Sequence, residues 1–70
     1  MLKISRKVEY ALIALRHLQG LDERELVSAK ELAKAYGVPK ELLAKVLQRL
    51  AKKNIIDAVK GPHGGYRLAI

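Results

Sequence analysis

Seventy residues make a single small domain, 1–70, with room for one modest core. Half of the residues are apolar yet none is Phe or Trp, and the absence of cysteine excludes disulfides, thiol catalysis and cysteine-ligated metal from these residues. Fourteen Lys and Arg against seven Asp and Glu leave a formal charge of +7, which favours an anionic partner, either nucleic acid or an anionic membrane surface.

The charge is uneven. Residues 39–70 carry seven basic and two acidic side chains, whereas Asp22, Glu23, Glu25 and Glu31 cluster in the first half. No run approaches the roughly 20 apolar residues that span a bilayer. Arg16 and His17 interrupt the N-terminal apolar segment, which argues against a signal peptide. A cytoplasmic location without membrane attachment is expected.

Ser5 is placed to cap a first helix, whose apolar stripe of Val8, Ala11, Leu12 and Leu15 is widened by Tyr10, Ile13 and Leu18 and ended by Gly20. A charged connector leads to Leu26 and Val27, a short extended piece. Ser28-Ala29-Lys30-Glu31 is a capping box, in which the hydroxyl and the carboxylate each satisfy a free backbone N–H. The helix it opens runs from Ala29 to about Tyr36, is expected to bury Leu32, Ala33 and Tyr36, and stops at Gly37.

Gly37-Val38-Pro39 is a tight joint, since glycine takes φ > 0 and proline is tolerated where a helix begins. The helix from Pro39 to about Lys53 has two faces. Leu42, Leu43, Val46, Leu47 and Leu50 form an apolar stripe. Glu41, Ala44, Lys45, Gln48 and Lys52 form a polar face, with Arg49 and Lys53 along its edge. That face is about 16 Å long and suits a DNA major groove. Alone, the segment reads as an ordinary amphipathic surface helix. Two helices joined by a short glycine-containing turn, the second longer and basic, carry the helix-turn-helix signature.

After Asn54 the period changes. Residues Ile55 to Lys60 are rich in β-branched side chains and Tyr66 to Ile70 alternate, with Gly61-Pro62-His63-Gly64-Gly65 between them as a hairpin loop. Lys60 and Arg67 flank the loop and His63 sits near its tip. A hairpin directly after a helix-turn-helix is a wing. The expected fold class is mainly α with a small β-hairpin: a winged helix-turn-helix of three helices and a C-terminal two-stranded wing.

Three stretches, Ile4 to Leu12, the core Leu32-Ala33…Gly37-Val38-Pro39…Leu43…Leu47…Leu50, and above all Lys60-Gly61-Pro62-His63-Gly64-Gly65-Tyr66-Arg67-Leu68-Ala69, resemble the Rrf2 family of bacterial transcriptional regulators. That family includes the iron–sulfur cluster regulator and the nitric-oxide-sensing repressor. The resemblance implies sequence-specific binding of double-stranded promoter DNA in transcriptional control, with the helix near 39–53 in the major groove and the wing, 60–67, in the minor groove. It places Lys40, Glu41, Ala44 and Lys45 at the family's base- and backbone-reading positions. Lys60 stands where the family usually has arginine, and His63 where glycine is common. Gln48 and Arg49 farther along the helix, Ser28 at the preceding cap, and Gly61, Pro62 and Arg67 in the wing complete the candidate DNA contacts. Family members usually continue into a three-cysteine loop and a long helix pairing two protomers. These residues are therefore expected to hold no cofactor themselves, and any homodimer is expected to form through a region outside them.

His17 and His63 have no partner at metal-ligand spacing. No Gly-Lys-Ser/Thr follows the glycine-rich loop, and no nucleophile–base pair stands out, so no enzyme is expected. Glu41 and Lys45, four apart, suit a helix-stabilising pair as well as base contact. The alternative reading is a winged helix that docks an acidic protein partner.

Overall fold

A computed structural model describes residues 5–69. Helices α1 (Arg6–Gln19), α2 (Ala29–Tyr36) and α3 (Lys40–Lys52) precede strands β1 (Ile56–Val59) and β2 (Gly65–Leu68). This is the expected winged helix-turn-helix.

Local chemistry fixes each boundary. The Val8 N–H donates to Ser5 Oγ at the start of α1. At the start of α2, the Glu31 N–H donates to Ser28 Oγ at 3.1 Å and the Ser28 N–H to Glu31 Oε1 at 3.2 Å, which is the full capping box. Gly37 ends α2 in the left-handed region, φ 64°, where a side chain would add strain. Pro39 is the N-cap of α3 rather than its first residue; its extended ψ of 124° turns the chain before the helix begins at Lys40.

The far end of α3 closes with a Schellman pair. The Asn54 and Ile55 N–H groups donate to the carbonyls of Ala51 and Leu50, with Asn54 at φ 61°. The recognition-type helix thus passes into the hairpin with little intervening loop. At Gly20, by contrast, φ is −85°, so α1 stops without a left-handed turn.

The core consists of Tyr10, Ala14, Leu18, Val27, Leu32, Ala33, Leu43, Val46, Leu47 and Ile56. Leu32, Leu43, Leu47 and Ile56 are fully enclosed, each contributing about 1.5–3 kcal/mol by burial. The face of α1 differs from the expected stripe. Tyr10, Ala14 and Leu18, spaced by four, point inward, while Val8 and Leu12 are 48% and 55% exposed. The reason is that α1 is apolar around most of its circumference, so periodicity alone does not select a face. Leu42 is likewise 43% exposed, because the core of α3 is centred on Leu43 and Leu47. Tyr36, expected inside, is 45% exposed. Its hydroxyl lies 2.9 Å from His17 Nδ1, and the rings meet edge-to-face at 5.6 Å, a surface contact joining α1 to α2.

The hairpin pairs antiparallel, with Ile56 opposite Leu68 and Asp57 opposite Arg67. Both strands are shorter than the expected 55–60 and 66–70. Ile4 and Ile70 lie outside the described residues. Val27, the expected extended piece, exchanges two backbone hydrogen bonds with Tyr66 at 2.7 and 3.2 Å, which ties the wing to the start of α2. That close approach needs Gly65, since a Cβ there would lie 2.8 Å from the Val27 carbonyl oxygen.

Candidate nucleic-acid interface

Helix α3 is anchored by Leu43, Val46 and Leu47, which leaves its opposite side to solvent. Lys40, Glu41, Lys45, Gln48, Arg49 and Lys52 are exposed there, and Ala44 is half-buried. The two edges of this side border different concavities. Gln48 and Lys52 line a cleft of about 590 Å³ with Ser28 and Ala29 at the start of α2 and with Lys60, Gly64 and Tyr66 of the wing. Lys45, Arg49 and Lys53 line a separate groove against α1. Lys45 and Gln48, expected on one polar face, thus border different concavities.

The wing cleft is cationic, with Gln48 and Ser28 adding polar groups to an otherwise largely apolar lining. Lys52 and Lys60 approach it from helix and hairpin, and no carboxylate lines it among the described residues. Ser28 Oγ accepts the Glu31 N–H, leaving its own O–H free to donate outward. Gly61, Pro62 and His63 are exposed at the wing tip, beyond the cleft.

Arg67 sits apart from that cluster. In the hairpin register it alternates with the half-buried Tyr66 and Leu68, so it lies on the outer face of the ribbon opposite Asp57. Arg67 Nε and Asp57 Oδ2 are 3.8 Å apart, the one ion pair among the described residues. Glu41 and Lys45 therefore do not form the i, i+4 bridge their spacing allows. Lys52 belongs to the cleft but was absent from the candidate contacts; its signal was the i, i+4 spacing from Gln48 towards the wing.

The Rrf2 family model, described as an iron-dependent transcriptional regulator, matches residues 4–70. The chain belongs to the Rrf2 family. An HTH-type transcriptional regulator from Aquifex aeolicus is 46% identical over 65 residues, covering 93% of this chain and 44% of that protein. The regulator NsrR of Geobacillus kaustophilus is 35% identical over 68 residues, covering 97% of this chain and 46% of its own length. The solved structure of CymR, the global cysteine regulator of B. subtilis, superposes with a TM-score of 0.91 at 27% identity, over 100% of this chain and 54% of that one. The chain thus spans less than half the length of these two relatives. No helix among the described residues is long and apolar enough to cross a membrane.

Proposed function

We propose that this Rrf2-family domain binds double-stranded DNA sequence-specifically in transcriptional control. Helix α3 enters the major groove and the tip of the wing reaches the adjacent minor groove. The observation that carries the reading is the convergence of Ser28, Gln48, Lys52 and Lys60 on one cleft between α3 and the wing. Two ammonium groups, an amide and a hydroxyl directed into one concavity suit a phosphate that runs between the two grooves. Lys40, Glu41 and Lys45 then lie on the exposed side of α3 for base contact, and Arg49 for the backbone.

The test is duplex binding followed by fluorescence anisotropy across a salt series. Affinity is expected to fall steeply between about 50 and 200 mM salt, with a promoter duplex preferred over a scrambled one. Lys52→Ala and Lys60→Ala are each expected to reduce the magnitude of the salt slope by about one. Salt-independent binding without sequence preference would refute the reading and favour a protein-docking module.

A further inference from the structure

The tip of the wing is a four-residue turn, Gly61 to Gly64, closed by the Gly64 N–H donating to the Gly61 carbonyl at 3.0 Å. Pro62 presets the backbone at the second position. His63 takes the third with a negative φ, as a type I turn requires. The turn therefore sets one imidazole at the apex of the wing. His63 is exposed, lines neither concavity, and makes no side-chain hydrogen bond or ion pair among the described residues. The turn itself holds no carboxylate. Lys60 immediately precedes it, and Asp57, lower on the ribbon, faces Arg67. Across the cleft stand Lys52 on α3 and, at the start of α2, Lys30 and Glu31, whose carboxylate accepts the Ser28 N–H.

We propose that His63 is a proton-dependent DNA contact: it meets the minor groove as the imidazolium, so that the domain takes up a proton on binding and holds DNA more tightly as pH falls. The contact rests on the placement of the wing tip in the proposed function. Histidine is the side chain whose charge ordinarily changes between about pH 5 and 8. The chain has two histidines and no cysteine. His17 is engaged on another surface, where its Nδ1 lies 2.9 Å from the Tyr36 hydroxyl between α1 and α2. His63 is the histidine that the wing carries to a duplex. A neutral imidazole offers a phosphate one donor and no charge, whereas the imidazolium offers two donors and a charge-assisted bond. The negative potential of a narrow minor groove also draws the cationic form. Linkage then fixes the sign. Proton and duplex are two ligands of one domain, so a duplex that favours the imidazolium strengthens proton binding, and protonation strengthens duplex binding by the same factor. The gain grows as pH falls and levels off once the free domain is itself protonated. A lysine or arginine at the apex would hold a constant charge near neutrality. The histidine makes the same contact responsive to pH.

The experiment measures affinity for the promoter duplex by anisotropy at constant ionic strength across the range where imidazole titrates, about pH 5.5 to 7.5. Calorimetry in buffers of different ionisation enthalpy counts the protons taken up. The unaltered chain is expected to bind about fivefold more tightly at the acid end than at the neutral end, with uptake of a fraction of one proton. His63→Gln is expected to lose both the proton uptake and the rise in affinity. His63→Arg restores a charge that does not titrate, and is expected to bind tightly with little dependence on pH. His17→Gln is expected to keep the full dependence. Thermal melts of the two His63 variants are expected to superpose on that of the unaltered chain, since the residue is exposed. A flat affinity in the unaltered chain, or an equal pH dependence in His63→Gln, would overturn the proposal. So would a dependence lost only in His17→Gln, which would trace it to the contact between α1 and α2. In each of these cases salt-sensitive, sequence-selective binding would leave the proposed function standing. A chain that binds the duplex at no pH would refute both.

Discussion

Leu42 and Leu43 are adjacent leucines on one helix, yet they face different media. Leu43 is 1% exposed in the core and Leu42 is 43% exposed in the α1 groove. Leu43→Ala is expected to cost about 2–5 kcal/mol through lost transfer energy and the cavity left behind. Leu42→Ala is expected to cost under about 0.5 kcal/mol, as at other surface sites. Urea unfolding of the two variants checks the contrast, and similar losses would mean that Leu42 belongs to the core. Lys45 and Arg49 pose a parallel question for binding. Lysine donates to guanine O6 and N7, and one such contact discriminates by about 1–3 kcal/mol. Lys45→Ala is expected to relax preference at one or two base pairs. Arg49→Ala is expected to weaken all duplexes alike and to lower the salt slope by about one. Equal effects on every sequence would make Lys45 a phosphate contact.

The wing is structural at its base and open to solvent at its tip. Ile56 is buried, and Tyr66 and Leu68 pack against the core, whereas Lys60 to His63 are exposed. Lys60→Ala is therefore expected to reduce duplex affinity with a melting temperature changed by only a few degrees. Gly65→Ala sets a Cβ 2.8 Å from the Val27 carbonyl oxygen. It is expected to lower both melting temperature and affinity, because the Val27–Tyr66 pairing must open to make room. Thermal melts with paired anisotropy measurements separate the two cases. The element boundaries were legible where chemistry is local: the Ser28–Glu31 capping box, the Gly37 stop and the Gly-Pro loop all stand where the residues imply. The inward face of α1 was not legible. Val8, Tyr10, Ala11, Leu12, Ile13, Ala14, Leu15 and Leu18 surround the helix, and only packing against α3 and the hairpin decides which of them are buried.

At the scale of the whole domain, the helical wheel could show that α3 has an exposed basic side, because that depends on one helix alone. It could not show that Lys45 and Gln48 border different concavities, which depends on where α1 and the wing stand. It could not place Arg67 either, because the alternation of β2 fixes its face only once Tyr66 is known to pair with Val27. As the 70 residues alone, the domain is expected to be monomeric or weakly dimeric. Its affinity for one half-site is expected near the non-specific range, about 10⁻⁴ to 10⁻⁶ M, since a second copy would have to supply the remaining contacts. Sedimentation at micromolar concentration tests this, and a tight dimer would contradict it.

The pairing of Val27 with Tyr66 also bears on how the domain opens. Their two hydrogen bonds join positions far apart in the chain, and Val27 itself is buried. No local fraying of the hairpin tip can free the Tyr66 amide, because its acceptor belongs to the segment that leads into α2. Its exchange with deuterated solvent must wait for the hairpin base and the core to separate together. The Tyr66 amide is accordingly expected to exchange among the slowest in the domain, at the rate of global unfolding. The exposed amide of His63 is expected to exchange orders of magnitude faster, so that the base of the wing reports on the stability of the whole fold and its tip remains free to adapt to a ligand.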